Sequence, residues 1–558
     1  MKSKLKYIGV TLLVVLSLLS YSSFKATDRF ELVKNLDIFY DLFIEVNNLY
    51  VDEVQAGDLM QKGIDGMLES LDPYTVFYPE SEIEDYKLMT TGQYGGIGAR
   101  IITINQQQII KELFDGAPSV KAGLKVGDQL IEVDGNSVEN KSSYELSRVL
   151  KGNPGTDVKV KILRPGIEES FSVTFKREEI QISSVPYFGV VGKDVGYIKV
   201  KSFTRNVSEE VKNAFLTLKK ENKITSLILD LRGNPGGLLL ESINMVNIFT
   251  KKGEKVVETR GKIERWNKQY KNLSRVTDES IPIVVLVNGG SASASEIVSG
   301  SLQDLDRAVI VGSNTYGKGL VQTTVKLKYN TSLKVTTAKY YIPSGRCIQE
   351  INYANKDEKG RAKKKPDSLR TKFKTRNGRT VEDGHGIQPD VELESSMISY
   401  VSEGLMREHH LFNFITNYLL AVDSIDSPKA YQVSDELFND FVIFVQKKDN
   451  IYNSITEKSV ERTIKKAEKE HLDDLIKDEL ETIKVKITAN KVKQVIREKE
   501  EIKKLLKNEI VSRFYYQKGK IETSLPEDIM VLKALEILKN DSLYSQHLNG
   551  IVVNSKEN

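Results

Sequence analysis

Three serines alternate with alanines in Ser291-Ala292-Ser293-Ala294-Ser295, directly after Gly289-Gly290, and a lysine sits between glycines in Gly317-Lys318-Gly319. A serine hydroxyl is a weak nucleophile near neutral pH and must lose its proton to a neighbouring base, a task a sheltered lysine can perform. For Lys318 this means lowering the amine's pKa from about 10.4 towards 7, worth roughly 4–5 kcal/mol at about 1.36 kcal/mol per unit. No acidic residue occurs from Val311 through Gln322, and Leu320 and Val321 are apolar, as that requirement asks. Attack on a carbonyl also needs donors for the developing oxyanion. Arg232-Gly233-Asn234-Pro235-Gly236-Gly237 stands between a strand pattern and a helix pattern, where bare amides favour negative charge.

These residues need a scaffold that brings distant loops together. From residue 180 to 393 the chain alternates strand-like and helix-like stretches, the pattern of an α/β domain. Residues 196–200, 226–231 and 282–287 read as strands and 208–222 as an amphipathic helix. The strand at 282–287 delivers the chain to the serines just before a helix that starts at Glu296. Ser295 suits a helix N-cap and Ser291 a local turn bond, which favours Ser293 as the nucleophile.

Other chemistries fit less well. Gly312-Ser313-Asn314-Thr315-Tyr316-Gly317-Lys318 follows most of the phosphate-loop pattern, but Gly319 stands where that loop needs a Ser or Thr to bind Mg²⁺. His385, flanked by Gly384 and Gly386, reads as a turn residue rather than a base. The one cysteine, Cys347, shows no metal-ligand spacing, and no metal or cofactor is expected.

From Tyr94 to about Lys176 short β-branched strands alternate with glycine turns: Gly95-Gly96-Ile97-Gly98, Gly116-Ala117-Pro118, Ala122-Gly123-Leu124, Gly127-Asp128-Gln129-Leu130-Ile131 and Val133-Asp134-Gly135, with a late strand at 158–162. In order and spacing this resembles a PDZ module. A glycine-rich turn can aim backbone N–H groups at a chain-terminal carboxylate while an open strand edge adds the peptide as a further strand. Gly95, Gly96, Ile97 and Gly98 are therefore expected to bind polypeptide C-termini. Arg164, beyond the late strand, is a weaker candidate for a contact to the catalytic domain.

Taken together, the serine run, Gly317-Lys318-Gly319-Leu320-Val321-Gln322, Asp72-Pro73-Tyr74-Thr75, Asp230 through Gly237, Thr337-Ala338-Lys339-Tyr340-Tyr341, Pro343-Ser344-Gly345-Arg346 and Gly386-Ile387-Gln388-Pro389-Asp390-Val391 resemble the C-terminal processing peptidases, or tail-specific proteases. The resemblance covers residues 28–395. It implies Ser293 as nucleophile, Lys318 as general base, Gln322 as the residue that orients the lysine, and an oxyanion hole from the amides of Ala294 and Gly237. It also implies a Ser-Lys core of crotonase/ClpP-like α/β fold with an inserted PDZ domain. An acyl-CoA enzyme of the crotonase type would share that architecture but needs neither a PDZ module nor export.

The 558 residues call for several domains. The division expected is 1–22 signal peptide or membrane anchor, 28–92 N-terminal helical region, 93–178 PDZ domain, 179–395 serine protease domain and 396–558 helical C-terminal region. Lys2, Lys4 and Lys6 before an apolar run give the export pattern, which places the protein in the periplasm or on the outer side of the cytoplasmic membrane, with membrane attachment through the N-terminus if the segment is retained. Apolar residues at helical spacing from Phe30 to Phe43 and from Leu59 to Leu71 read as packing helices. The basic stretch at 355–379 reads as a mobile surface loop, and the lysine- and glutamate-rich region beyond Leu393 as a separate helical part, open to oligomer or adaptor contacts. With 81 basic against 77 acidic residues, the charge balance makes no case for nucleic acid. The expectation is an exported endopeptidase acting on polypeptide tails; the alternative is a PDZ scaffold with a silent protease domain.

Overall fold

The computed structural model describes residues 29–394 and 398–550; the expected signal segment lies outside the described residues. The chain divides into two compact units, Met1–Pro79 with Thr324–Val335 and Glu80–Thr323 with Thr336–Asn558. No helix among the described residues is long and apolar enough to cross a membrane.

In the smaller unit, residues 29–49 and Ala56–Glu69 are helical. The Asp72 carboxylate then takes the amides of Tyr74 (2.8 Å) and Thr75 (2.9 Å), which turns the chain as the proline motif predicts. Strand Val76–Tyr78 follows and pairs antiparallel with residues 332–334. The expectation of packing helices is only half met. The stripe exists, yet Phe30 (65 %), Leu36 (58 %) and Tyr40 (65 %) are exposed, because two helices and a short strand offer too little surface to cover it.

In the larger unit, a six-stranded sheet runs in the order Tyr187–Val191, Val195–Lys199, Ser226–Asp230, Ile283–Val287, Val309–Gly312, Val391–Glu392. The first pair is antiparallel and all the others are parallel. Parallel strands need both faces covered, and the continuous apolar runs Ile283–Val287 and Val309–Gly312, buried throughout, reflect that. On one face helices Val207–Glu221, Leu239–Phe249 and Ala294–Asp304 bury Phe215, Phe249, Ile297 and Leu302 against Leu229, Val285 and Ile310.

The other face is covered by the last helices of the C-terminal region. Tyr197, Ile228, Leu286 and Val311 pack against Met530, Val531, Ala534 and Ile537 of helix Ile529–Leu538. The Tyr544 hydroxyl accepts the Ile283 amide at 3.0 Å, fixing the next helix to the same strand. An open parallel sheet needs this second layer, and residues distant in sequence supply it. The remainder of the C-terminal region, from Val401 to Ile510, has a helical core of its own around Phe414, Phe438 and Phe441.

The PDZ-like stretch forms a sheet ordered Ala99–Ile104, Gln107–Leu113, Gln129–Val133, Asp157–Leu163, Phe171–Lys176, over a core of Ile110, Leu130, Leu146, Val158 and Val160. Helix Ser143–Leu150 starts at a capping box made by Ser142 and Glu145. The basic stretch is folded rather than loose. It forms two hairpins, Ile351–Lys356 with Ala362–Lys364 and Lys372–Lys374 with Thr380–Glu382. Arg379 anchors the second hairpin through Asp306 (2.6 Å) and Asp390 (2.5 Å), so part of its charge is spent inside the protein.

Candidate active site

Three adjacent parallel strands deliver the three loops of the site from their carboxyl ends, where open α/β sheets place their ligands. Ser226–Asp230 leads into the glycine turn, Ile283–Val287 into the serines, and Val309–Gly312 into the lysine loop.

The three serines have different fates. Ser291 is fully buried; its hydroxyl donates to the Leu231 carbonyl (2.8 Å) and accepts the Asn288 amide (3.0 Å). Ser295 is also fully buried and donates to the Asn234 carbonyl at 2.9 Å. Ser295 is not the N-cap that its sequence position suggested. That position belongs to Ser293, which alone of the three is partly exposed and has φ 54°, ψ −111°. Such a conformation costs a non-glycine residue about 1–3 kcal/mol and is typical of a nucleophile held on a sharp strand-to-helix turn.

Gly236 faces this turn so closely that a Cβ would lie 2.8 Å from the Ser293 Cβ and 2.9 Å from the Ala294 nitrogen. Its φ of 97° and the 148° of Gly237 both lie where side chains are disfavoured. Phe203 bridges to Gly237 through the Gly236 carbonyl (2.9 Å) and the Leu238 amide (2.7 Å), a pattern that does not use the Gly237 amide. Ala294 is the first residue of its helix, so its amide has no intrahelical acceptor. The glycine turn thus packs against the turn at Ser293, next to a helical amide with no intrahelical acceptor.

The lysine loop is tied to the serine turn by a residue to which the sequence reading gave no role. Glu296 is fully buried; its Oε1 accepts from the Thr315 hydroxyl (2.6 Å) and the Gly317 amide (2.7 Å), and its Oε2 from the amides of Ser293 (2.7 Å) and Lys318 (2.9 Å). Burial pushes its carboxyl up to about 7, although these four donors pull the other way. The stretch from 311 to 322 lacks acids, but one arrives from the neighbouring helix. The Tyr340 hydroxyl makes a second tie, lying 3.1 Å from the Ser293 carbonyl and also against that of Lys318. Gly317, at φ 84°, lets residue 350 approach, since a Cβ there would sit 2.7 Å from the Glu350 Cβ. Lys318 itself is half-buried, and Gln322, on strand Leu320–Lys326, donates to the Thr336 hydroxyl at 3.3 Å.

Two further residues brace the serine turn. Asn234, fully buried, accepts the Gly236 amide (2.9 Å) through its side chain and the Ala292 amide (3.0 Å) through its carbonyl. At the far end of the serine helix Arg346 pairs with Asp304 at 2.9 Å, both without solvent exposure, and the cation complements the helix C-terminus. A fully buried arginine needs a carboxylate, and the partner of Arg346 is invisible in one dimension.

Of the four PDZ residues, Gly95 and Gly96 belong to strand Gln93–Gly96, paired with Glu178–Gln181, while Ile97 and Gly98 form the turn into Ala99–Ile104. The turn is shorter than the sequence suggested, and burial pushes the neighbouring Tyr94 hydroxyl up to about 12. Strand Ala99–Ile104 lies at the edge of its sheet beside helix Ser143–Leu150, so one edge is open to an added strand. Arg164 is held within its own domain by Asp128 (2.8 Å) and the Gly123 carbonyl (2.7 Å).

Residues 194–356 match the model of peptidase family S41, residues 95–175 a PDZ domain and residues 401–538 the C-terminal helical domain of probable PDZ-proteases. A carboxy-terminal-processing protease of Bartonella bacilliformis is 37 % identical over 57 % of this chain and 73 % of its own length. A probable CtpA-like serine protease of Staphylococcus aureus is 35 % identical over 61 % of this chain and 69 % of its own. A solved photosystem II D1 C-terminal processing protease aligns at 26 % identity over 64 % of this chain and 92 % of that one, with a TM-score of 0.34. With a relative this similar along most of its length, the chain belongs to the carboxy-terminal-processing serine proteases of peptidase family S41 that carry a PDZ domain.

Proposed function

We propose that this protein is an exported endopeptidase that captures polypeptide C-termini at its PDZ domain and cleaves with Ser293 and Lys318 through an acyl-enzyme. The observation that carries this reading is the strained, partly exposed Ser293 packed against the glycine turn at Gly236, while Ser291 and Ser295 are consumed by buried bonds. Ser293 Oγ attacks the scissile carbonyl carbon and its proton passes to the neutral Lys318 amine. The oxyanion is held by the amides of Gly237 and Ala294. Collapse of the tetrahedral adduct breaks the C–N bond, and the leaving amine takes the proton from Lys318. Water, deprotonated by the same amine, then hydrolyses the ester and returns the proton to Ser293. Gln322 orients the lysine. No metal or cofactor takes part. The substrate tail pairs with the open edge of Ala99–Ile104, its carboxylate at the turn formed by Ile97 and Gly98, with Gly95 and Gly96 shaping that turn. The basic N-terminal segment supports action outside the cytoplasm.

The test compares the purified protein with Ser293→Ala and Lys318→Ala on an unfolded polypeptide, with free or amidated C-terminus. Both variants lose cleavage, and amidation slows the parent enzyme sharply. Equal cleavage by Ser293→Ala, or loss only in Ser291→Ala or Ser295→Ala, overturns the nucleophile assignment. Binding of the tail without cleavage by the unaltered protein would leave a PDZ scaffold instead, and indifference to amidation would reject carboxylate capture.

A further inference from the structure

Away from Ser293, a cleft of about 500 Å³ separates the PDZ domain from the helical C-terminal region. Its walls come from strand Gln107–Leu113, the turn around Lys125 and Arg164 on one side, and from helices His410–Tyr418 and Lys499–Ser524 on the other. The two sides meet at its margins. Gly127 lies so near Thr416 that a Cβ would come within 2.5 Å of Thr416 Cγ2, and one on Gly166 would come 3.1 Å from Leu420. Lys111 Nζ stands 3.5 Å from Glu509 and 4.2 Å from the centre of the Phe412 ring. Arg513 covers the same ring at 4.5 Å and reaches both Glu509 (3.1 Å) and the Thr416 hydroxyl (3.4 Å).

This contact carries an excess of positive charge. One carboxylate, Glu509, faces three cations, Lys111, Arg513 and Lys520, and the buried Nε of Arg513 has no hydrogen-bond acceptor. Burial lowers the Lys111 pKa, and the charges of Arg513 and Lys520 lower it further, against the pull of Glu509. Tyr516, on the cleft wall, breaks the helix with φ 53°, ψ −153°, a conformation costing about 1–3 kcal/mol that persists only while its surroundings enforce it.

We propose that the C-terminal helical region is the docking partner of the PDZ domain and acts as a latch, with Glu509 and Phe412 holding Lys111, that opens when this arrangement of charge is disturbed. The latch grips the PDZ domain mainly by strand Gln107–Leu113 and not by helix Ser143–Leu150, so it governs where the domain sits and not how tightly it holds a tail. It stands independently of the chemistry at Ser293.

Hydrogen–deuterium exchange of the full chain tests it with Lys111→Met, which keeps the aliphatic contact to Phe412, and with Glu509→Gln. In each variant the amides of residues 107–113 and of 410–418 exchange about tenfold faster, while the central PDZ strand Asp157–Leu163 is unchanged. Raising salt to about 1 M, where the Debye length is about 3 Å, moves the unaltered protein in the same direction. Affinity for a free-carboxylate peptide, read by fluorescence anisotropy, stays within about twofold. Faster exchange confined to the substituted segment, no change in either variant, or a parallel loss of peptide affinity overturns the latch. Lys111→Met leaves the helical core intact and keeps the test decisive if Glu509→Gln does not fold.

Discussion

Glu296→Gln tests how the two halves of the active site are held together. The carboxylate accepts four hydrogen bonds, from Ser293 N, Thr315 Oγ1, Gly317 N and Lys318 N. An amide offers one accepting oxygen and turns an NH₂ group towards the other donors, so two of the four bonds are lost. A buried donor left without a partner costs about 1–3 kcal/mol, which puts the loss at roughly 2–6 kcal/mol. If this appears as displacement of the lysine loop from Ser293, kcat falls by at least about 30-fold, at 1.36 kcal/mol per factor of ten. KM for a tail held by the PDZ domain changes little.

The pH dependence sharpens the test. Burial raises the Glu296 carboxyl from 4.5 to about 7 in the folded protein. The stability from this group is therefore complete below 4.5 and fades as pH rises through 7, by about 3 kcal/mol in all. The ionised form, which alone accepts all four donors, prevails only above 7. Activity should thus decline below pH 7 while resistance to urea, for this group's part, increases. Initial rates on an unfolded polypeptide from pH 5 to 9, with urea unfolding in parallel, measure both. A Gln variant with the parent's kcat, or one whose resistance to urea still falls between pH 4.5 and 7 as the parent's does, refutes the reasoning.

Ser291→Ala and Ser295→Ala remove hydroxyls bonded to buried carbonyls, so each lowers stability by about 1–3 kcal/mol in urea unfolding and retains measurable turnover. Gly236→Ala drives a Cβ to 2.8 Å from that of Ser293 at a φ of 97°, and turnover on an unfolded substrate should disappear while tail binding by the PDZ domain persists. Asp528→Ala leaves Arg232 without its carboxylate from the C-terminal region, 2.8 Å away, and should cost about 1–3 kcal/mol in thermal unfolding, with a smaller loss of kcat because Arg232 begins the glycine turn.

The backbone-determined parts of the site were legible in sequence. Gly236, Gly237 and Gly317 are required by close approach and positive φ, so glycine spacing locates both loops before any coordinates. Strand positions could be anticipated too, since apolar runs such as residues 283–287 mark buried parallel strands. Side-chain ties between loops were not legible. Glu296 stood in plain sight as an apparent first helical residue, and only the fold reveals that its carboxylate reaches the lysine loop 22 residues on. The basic stretch at 355–379 misled because charge was equated with solvent, whereas Arg379 spends its charge on Asp306 and Asp390. A signal for the second layer of the sheet did exist: residues 529–538, Ile-Met-Val-Leu-Lys-Ala-Leu-Glu-Ile-Leu, are apolar nearly all round, and such a helix must be buried somewhere.

That second layer ties the C-terminal region to the strand that leads into the glycine turn. Asp230, 1 % exposed, closes the strand that leads to the glycine turn and is bound by Tyr197 (2.6 Å), Lys199 (3.0 Å) and Arg232 (2.7 Å). Burial opposes its ionisation, yet Lys199 and Arg232 hold the carboxyl well below the usual range. Arg232 then reaches out to Asp528. A buried charge cluster is destabilised when one member leaves, so the cap that covers the sheet also completes the charge balance at the entrance to the glycine turn. Removing residues 525–550 would strip Met530, Val531, Ala534 and Ile537 from Ile228, Leu286 and Val311 and unbalance Arg232 in the same step. A fragment cut to the S41 and PDZ segments is therefore expected to aggregate rather than to behave as a minimal enzyme. A soluble, active fragment ending before residue 400 would show that neither the cap nor its charge matters to the site.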